Sequence, residues 1–209
     1  MRQTPGRILH RAAGYDLLTW LMTGGRERAF RERLLTLARV EVSQSVLDVG
    51  CGTGSLAMAA KRRVGRGGTV DGIDPSAQMI ARATRKARRA ALDVRFQQAV
   101  IEVLPFPDGR FDVVLSTVML HHLPRAARIT GAHEMRRVVK PGGCAFIADF
   151  GPPSRRGVLA HFHRHGHTKP DEIRALLMDA GLQVLDSGPV GTHDLHFVLA
   201  VRSGASDRG

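Results

Sequence analysis

The sequence predicts an α/β fold, in which a doubly wound, mostly parallel sheet has an antiparallel last strand. Three observations predict it. The short apolar run Val46–Val49 is followed at once by closely spaced glycines and then by a helical pattern. Further short apolar runs alternate with helical stretches along the chain, as in βαβ units. The last two runs are separated by only a short loop, which implies an antiparallel pair.

Two helices are predicted ahead of the sheet. Apolar residues between Ile8 and Val40 recur at helical spacing, and Thr23-Gly24-Gly25 interrupts the pattern once. Tyr15 lies in the first of these helices, where its ring could pack into the core or reach over a ligand.

The strands of the sheet are short apolar runs that end at turn-forming residues. The fourth run is apolar at almost every position, as expected of a parallel strand that is buried on both faces. The strands are predicted at Val46–Val49, Thr69–Asp74, Val94–Ala99, Phe111–Ser116, Cys144–Phe150, Leu182–Asp186 and Leu195–Arg202.

Helices are predicted between these strands, and glycine or proline marks several of their ends. Pro141-Gly142-Gly143 is expected to end one helix and to start the fifth strand, and Gly181 is expected to end the last helix. The helices are predicted at Ser55–Arg63, Ser76–Ala91, Arg125–Lys140 and Lys169–Ala180.

The chain is strongly basic, with 31 Lys and Arg against 19 Asp and Glu and a formal charge of +12. Such a surface attracts anions, which include lipid headgroups, nucleic acid and acidic substrates. The basic residues form two clusters in the sequence, at positions 61, 62, 63 and 66 and at positions 82, 85, 86, 88 and 89. A solvated outer face explains them, and a role in binding a membrane surface or an anionic partner is the alternative.

Cysteine use and hydropathy indicate the compartment. Cys51 and Cys144 lie far apart and form neither a zinc pattern nor a redox pair. No apolar run approaches the roughly 18 residues of a membrane span. We therefore expect a cytoplasmic protein, and a peripheral membrane contact stays open.

The glycines after the first strand indicate a ligand site. Gly50, Gly52 and Gly54 allow a tight turn that a ligand can approach closely at the carboxyl edge of a parallel sheet. A dinucleotide fingerprint has its third glycine one position later, where this chain has Ser55. The spacing and the preceding Asp48 instead favour S-adenosylmethionine, in which no pyrophosphate needs binding.

An acidic residue ends the second strand, twenty positions after Gly54. There, the carboxylate of Asp74 could accept hydrogen bonds from both hydroxyls of a ribose. The alternative is a capping or turn residue ahead of Pro75-Ser76.

Several motifs together make the chain similar to a known family. It resembles the class I S-adenosylmethionine-dependent methyltransferases, and within them the ubiquinone and menaquinone biosynthesis C-methyltransferase group. The resemblance implies a Rossmann-like seven-stranded sheet with helices on both faces and a reversed last strand. The residues that carry it are Tyr15-Asp16-Leu17-Leu18, Val46 to Gly54, Gly72-Ile73-Asp74-Pro75-Ser76 with Met79, Leu104-Pro105-Phe106-Pro107-Asp108 leading to Phe111-Asp112, His121-His122-Leu123, and Arg137 to Gly143.

The resemblance also implies roles. Asp48 would lie beside the amino group of the cofactor, Asp74 would hold its ribose, Ser76 and Met79 would flank its adenine, and Thr117 would line its methionine end together with the three glycines. The cofactor-binding residues that it implies are Tyr15, Asp48, Gly50, Cys51, Gly52, Gly54, Asp74, Pro75, Met79, Val100, Ile101 and Thr117.

One position departs from the family pattern. An acid near the end of the third strand usually accepts a hydrogen bond from the adenine amino group, and Val100 stands there in this chain. Losing one such bond is expected to weaken cofactor binding about tenfold. Backbone groups of Val100 and Ile101 are the expected substitutes.

Methyl transfer requires alignment and exclusion of water, and it requires a base only for some acceptors. A phenol or quinol must be deprotonated to attack through carbon. The candidate bases at the carboxyl edge are His121, His122 and Asp149; for the histidines, a structural role at the strand end is the alternative.

Four alternating histidines, at positions 161, 163, 165 and 167, lie in a segment that is predicted to form a flap over residues 151–169. In an extended segment they would share a face and could bind a metal, but neither a cysteine nor a carboxylate is near in sequence to complete a site. We expect a pH-sensitive flap and no metal.

Together these features predict one methyltransferase domain over residues 1–209. It comprises N-terminal helices (1–40), a cofactor-binding core (41–150), a flap (151–169) and a C-terminal helix with a strand pair (170–202). We expect methyl transfer to a small aromatic or lipid-soluble acceptor. The alternatives are a phospholipid amine N-methyltransferase and a non-catalytic cofactor-binding regulator. No nucleic-acid partner is expected, and a homo-oligomer stays open.

Overall fold

The computed structural model describes residues 26–151, 168–191 and 194–204. Tyr15, the first predicted helix and the histidine run at 161–167 therefore lie outside the described residues.

The described strands form one seven-stranded sheet in the order β3-β2-β1-β4-β5-β7-β6. Every neighbouring pair is parallel except the two that involve β7, which runs antiparallel to both β5 and β6. The predicted fold class and the reversal of the last strand are thus confirmed. The strands are β1 Ser45–Val49, β2 Thr69–Asp74, β3 Arg95–Gln98, β4 Phe111–Thr117, β5 Val139–Phe150, β6 Gln183–Pro189 and β7 Leu195–Val201.

Five α-helices are described, together with a short 3₁₀ turn, Leu120–His122, between β4 and α4. The helices are α1 Glu27–Leu37, α2 Ser55–Val64, α3 Ala77–Arg89, α4 Arg125–Val138 and α5 Pro170–Asp179. Among the residues that the structure describes, no helix is both long and apolar enough to cross a bilayer.

Two apolar clusters lie on opposite faces of the sheet, because successive side chains of a strand point in opposite directions. On one face, Leu47 and Val114 pack with the buried residues of α4 and α5. On the other face, Val46 and Val113 pack with α1 and α2. Both faces of the central strands are therefore dry, which explains their almost continuous apolar sequence.

The boundary between α4 and β5 differs from the prediction. The helix was expected to reach Lys140, and the strand was expected to start at Cys144. Instead, α4 ends at Val138 and Val139 already pairs with Phe111 of β4. The Nη1 group of Arg202 donates to the carbonyl oxygens at positions 136, 137 and 139, so that the carbonyls at the helix end are satisfied without a glycine cap.

Pro141, Gly142 and Gly143, which follow Lys140, consequently lie inside β5. Gly142 has a φ of +80°, and a register shift separates the pairs on either side of Asp112. A Cβ atom on Gly143 would lie 2.7 Å from the carbonyl oxygen of Asp112. Here the glycines allow an irregular, close approach of two strands, as at a β-bulge.

Candidate functional site

The glycine loop leaves β1 in a backbone conformation that requires glycine. Gly50, Gly52 and Gly54 have φ angles of +75°, +52° and +78°, which L-residues with a side chain rarely adopt. The amide groups of Gly50 and Cys51 donate to the carbonyl oxygen of Ile73, at 2.9 and 2.8 Å. The loop is thereby fastened to the end of β2.

Two of these glycines are also required by packing. A Cβ atom on Gly50 would lie 2.5 Å from Cγ of Met119, and one on Gly54 would lie 2.6 Å from Cζ of Phe96 and 2.9 Å from Cβ of Ala83. Gly54 therefore permits contact with α3 and β3. Gly50 permits contact with the segment after β4. Their predicted approach to the methionine part of the cofactor stays a prediction.

Asp74 holds the turn at the carboxyl end of β2. Its Oδ2 accepts a hydrogen bond from the amide of Gly52 at 3.0 Å, and its Oδ1 accepts one from the amide of Ser76 at 2.8 Å. Burial raises the pKa of Asp74, and the two amide donors oppose that rise. The turn role that the sequence offered as an alternative is thus present, and the contact with a ribose stays a prediction.

Asp48 lies on β1 beneath the loop and is only 1% exposed. Burial raises its pKa to about 7; a hydrogen bond from the Ala57 amide opposes this rise, and the charge of Asp74 adds to it. No hydrogen-bond partner of Oδ2 exists among the described residues. A buried carboxyl oxygen without a donor is costly, which marks this atom as a candidate ligand contact.

The thiol of Cys51 is buried next to these carboxyl groups. Burial raises its pKa well above the ordinary value, and the charges of Asp48 and Asp74 raise it further. The thiol therefore stays protonated and unreactive, so that Cys51 acts as a small apolar residue in the loop.

Two of the residues predicted to bind the cofactor, Pro75 and Met79, follow the end of β2. Met79 is buried, and its amide donates to the Ser76 hydroxyl that caps α3. The carbonyl oxygen of Pro75 accepts a hydrogen bond from the Gln98 side chain at 2.8 Å. Pro75 therefore lies at the turn between β2 and α3, and Met79 lies in the first turn of α3.

Val100 and Ile101 follow β3. Val100 is half-buried and forms an isolated bridge with Val103. Ile101 is buried in the core, and a Cβ atom on Gly131 of α4 would lie 2.7 Å from its side chain. The side chain of Ile101 thus serves packing, so that only its backbone is available to an adenine.

The segment after β4 brings the two halves of the sheet edge together. Thr117 ends the strand, and Val118 has a φ of +53°, which is strained for a β-branched residue. The amide of Val118 donates to the carbonyl oxygen of Ala148 at 2.8 Å. Met119 then packs against Gly50, so that this segment contacts the glycine loop.

His121 and Asp149 form a buried pair at this edge. Their side chains are 5% and 0% exposed, and Nδ1 of His121 lies 2.6 Å from Oδ1 of Asp149. The amide of His121 donates to Oδ2, and the amide of Phe150 donates to Oδ1. Both carboxylate oxygens therefore act as acceptors. This arrangement favours the tautomer in which Nδ1–H donates to Asp149 and Nε2 is left as an acceptor.

The three predicted bases consequently differ in what they contact. Asp149 is enclosed and directed at His121, which suits an orienting role better than direct proton abstraction. The ring of His122 lies 3.9 Å from the ring of His121, measured between centroids. The ring of Phe150 meets His121 edge-on at 5.6 Å.

Sequence reasoning missed three residues of this edge. They are Val118 and Met119, which connect the glycine loop to the histidines, and Phe150, which packs on His121. The first two carry no local signal, because neither a positive φ at valine nor a distant packing contact leaves a pattern in the sequence. Phe150 was predicted only as the end of a strand.

The metal hypothesis concerned the histidines of the flap, which lie outside the described residues. Within the described ranges, no group of three or more histidine, cysteine or acidic residues could hold a metal ion.

Comparison with known proteins places this site in context. A family described as a methyltransferase domain matches residues 46–143. A demethylmenaquinone methyltransferase of Thermus thermophilus is 38% identical over 144 residues, which are 69% of this chain and 64% of that protein. A ubiquinone/menaquinone biosynthesis C-methyltransferase of Pectobacterium atrosepticum is 32% identical over 173 residues, which are 81% of this chain and 68% of that protein.

The match thus covers slightly less than two thirds of the Thermus protein. Among solved structures, a SAM-dependent methyltransferase of Aquifex aeolicus superposes with a TM-score of 0.72 and 24% identity, covering 90% of this chain and 97% of that one. That likeness concerns the fold.

Proposed function

Because the chain belongs to the class I S-adenosylmethionine-dependent methyltransferases, we propose that it methylates a ring carbon of a small, lipid-soluble hydroquinone-type acceptor. The names of its relatives support this acceptor class, since they denote demethylmenaquinone and ubiquinone/menaquinone C-methyltransferases. The observation that carries the proposal is the buried His121–Asp149 pair, because carbon methylation of a phenolic ring requires a base.

The residues of the loop fit S-adenosylmethionine. Asp48 offers a buried carboxyl oxygen without a donor, which suits the amino group of the cofactor. Asp74 keeps an acceptor site on each carboxyl oxygen beside the amide donor that it already has, which suits ribose hydroxyls. Gly50, Gly52 and Thr117 would then hold the methionine end of the cofactor.

The cofactor supplies an electrophilic methyl group, and the new carbon–carbon bond forms as the carbon–sulfur bond breaks and leaves its electron pair on sulfur. A neutral phenol ring is a weak carbon nucleophile, whereas its phenolate is a strong one. The protein therefore has two tasks, which are to remove the hydroxyl proton and to keep water out. The ring carbon loses its proton when aromaticity is restored and the hydroxyl oxygen regains one, so that the overall reaction releases one proton.

His121 would take the hydroxyl proton on Nε2. With Nδ1–H committed to Asp149, only Nε2 can accept a proton, so the ring has one orientation and one competent tautomer. Asp149 would hold that tautomer and stabilise the imidazolium that forms, as the buried carboxylate of a catalytic triad does. In this scheme Asp149 is a positioning residue, and His121 is the base.

Methyl transfer to matched acceptors tests the proposal. The purified chain is incubated with S-adenosylmethionine carrying a labelled methyl group and with one of two acceptors, a reduced prenylated naphthoquinone that lacks the ring methyl or vesicles of phosphatidylethanolamine. We expect label in the quinol ring, on carbon, and none in the vesicles. Label in the phospholipid amine would favour the N-methyltransferase alternative instead. Cofactor binding without transfer to either acceptor would favour the non-catalytic regulator.

A further inference from the structure

Asp48 differs from the other carboxyl groups of the site in how few donors surround it. Asp149 accepts hydrogen bonds from the amides of His121 and Phe150 and from the ring of His121. Asp74 accepts two amide hydrogen bonds. Asp48 has only the amide of Ala57, and its Oδ2 has no partner among the described residues. Hydrogen-bond donors stabilise a carboxylate, so Asp48 is the least stabilised anion of the three.

Among the described elements that pack around Asp48, none brings a positive charge to it. Strand β2 contributes the carboxyl of Asp74, and the loop contributes the protonated thiol of Cys51. Helix α2 contributes the Ala57 amide, and β4 places apolar Leu115 in register with Asp48. Within the described segments, no lysine, arginine or histidine forms an ion pair with it. Lys86 of α3 donates hydrogen bonds to the hydroxyl groups of Thr53 and Ser55.

We infer that Asp48 holds a proton before the cofactor binds and releases it when the amino group of the cofactor arrives, so that cofactor binding is coupled to proton release. The inference rests on the proposed function, because it takes the amino group of S-adenosylmethionine as the partner of Oδ2. An ammonium group would supply both the missing donor and the missing positive charge. A neutral carboxyl cannot form an ion pair with the ammonium group, so Asp48 must ionise before the pair forms.

This coupling predicts a pH-dependent affinity. The pKa of Asp48 is raised to about 7, so the carboxyl must ionise on binding at pH 6 but is mostly ionised already at pH 8. The affinity should therefore be about tenfold lower at pH 6 than at pH 8, since one proton competes with the ligand over this range. The coupling lets the surrounding pH control cofactor occupancy without any change in the fold.

Isothermal titration calorimetry measures the released proton directly. The full-length chain is titrated with S-adenosylhomocysteine, which lacks the sulfonium charge that acidifies the amino group. Each titration is run in two buffers of different ionisation enthalpy, at pH 6, 7 and 8. We expect release of about 0.9 proton per ligand at pH 6, about 0.5 at pH 7 and about 0.1 at pH 8.

Two variants show which carboxyl group releases the proton. In Asp48→Asn the release should disappear, and the affinity should lose its dependence on pH. In Asp74→Asn the release should persist, although the affinity falls. If Asp48→Asn binds too weakly to titrate, infrared difference spectra of the wild-type chain at pH 6 give the same answer, because the C=O stretch of a buried neutral carboxyl should vanish on binding.

Three outcomes would overturn the inference. Binding without proton release at pH 6 would do so and would leave the proposed function intact. Release that is lost in Asp74→Asn but kept in Asp48→Asn would assign the proton to the other carboxyl. Failure to bind S-adenosylhomocysteine at any pH would overturn both this inference and the proposed function.

Discussion

The two halves of the sheet edge are built in different ways. The cofactor half, formed by Asp48, the loop Gly50–Gly54 and Asp74, is held together by hydrogen bonds that backbone amides of the loop donate. The acceptor half, formed by Val118 to His122 with Asp149 and Phe150, joins two stretches that lie 28 residues apart at His121 and Asp149 through a side-chain hydrogen bond.

This difference bears on what each half can tolerate. A site made of backbone conformation depends on glycine at fixed positions, and almost any other residue there is harmful. A site made of a side-chain pair depends on chemistry, so an isosteric substitution can keep the fold and remove the function. The first half should therefore fail through folding and cofactor affinity, and the second through turnover.

The largest effect is expected from His121→Asn. The asparagine amide can occupy the place of Nδ1–H and still donate to Asp149, but it has no counterpart of Nε2. We expect kcat to fall about 10²- to 10⁴-fold, which corresponds to about 3–5 kcal/mol of lost transition-state stabilisation. Cofactor affinity by calorimetry should stay within about twofold of wild type, because the glycine loop is untouched.

The matched control is His122→Asn, which changes the neighbouring ring but leaves the pair with Asp149 in place. Its kcat should fall less than about threefold, since no proton transfer is assigned to it. Equal losses of kcat in the two variants would show that the acceptor half does not depend on one base. The proposed difference between the two halves would then be wrong.

The next largest effect should arise in the cofactor half, from Gly54→Ala. The new Cβ atom would lie 2.6 Å from the Phe96 ring and 2.9 Å from Cβ of Ala83, at a φ of +78°. Left-handed strain and overpacking together should lower the free energy of unfolding by about 2–5 kcal/mol. Chemical denaturation measures it.

Gly142→Ala separates the two causes. Gly142 has a similar φ of +80°, and no atom lies within 4 Å of the new Cβ. Its cost should therefore be the strain alone, about 1–2 kcal/mol. If both variants lose the same stability, packing against α3 does not explain why Gly54 is needed.

The same contrast explains what could be predicted from the sequence. The cofactor half depends on glycines and acidic residues at recognisable spacings, so the glycine spacing, Asp48 and Asp74 indicated the loop and the strand end that the structure shows. The fold followed from apolar runs, which report burial directly. The pairing of His121 with Asp149 was not predicted, because it arises from strand adjacency. Sequence spacing likewise gave no sign of the strain at Val118 or of the bulge that placed Gly142 inside β5.

A smaller effect is expected from Arg137→Ala, where α4 contacts the loop that precedes β4. Arg137 donates to the carboxylates of Glu134 and Asp108 and to the carbonyl oxygens of Leu104 and Phe106. Its loss should lower the free energy of unfolding by about 1–3 kcal/mol, because several partly buried acceptors lose their donor at once. Arg136→Ala removes only one weak contact, at 3.4 Å, and should cost less than about 0.5 kcal/mol.

The stability that Arg137→Ala loses should depend on pH, because Arg137 pairs with Glu134. Hydrogen bonds from Arg137 hold the pKa of Glu134 below its ordinary value. A carboxyl with a lowered folded-state pKa contributes stability above its unfolded pKa, and that contribution disappears as the pH falls through the folded value. The difference between wild type and Arg137→Ala should therefore shrink below about pH 4, whereas a constant difference would show that Glu134 takes no part.

The smallest effect comes from Asp48 and has the opposite sign. Its folded-state pKa is raised from 3.8 to about 7, so the folded chain binds a proton that the unfolded chain has released. Stability from this group is present at low pH and is lost as the pH rises through about 7. Without cofactor, the free energy of unfolding should fall by about 1 kcal/mol between pH 6 and pH 8, measured with urea. In Asp48→Asn that fall should vanish while the low-pH dependence due to Glu134 persists. If the variant keeps the full decrease in the free energy of unfolding, other groups cause that decrease. The cofactor half would then contain no carboxyl that stays protonated until the ligand binds.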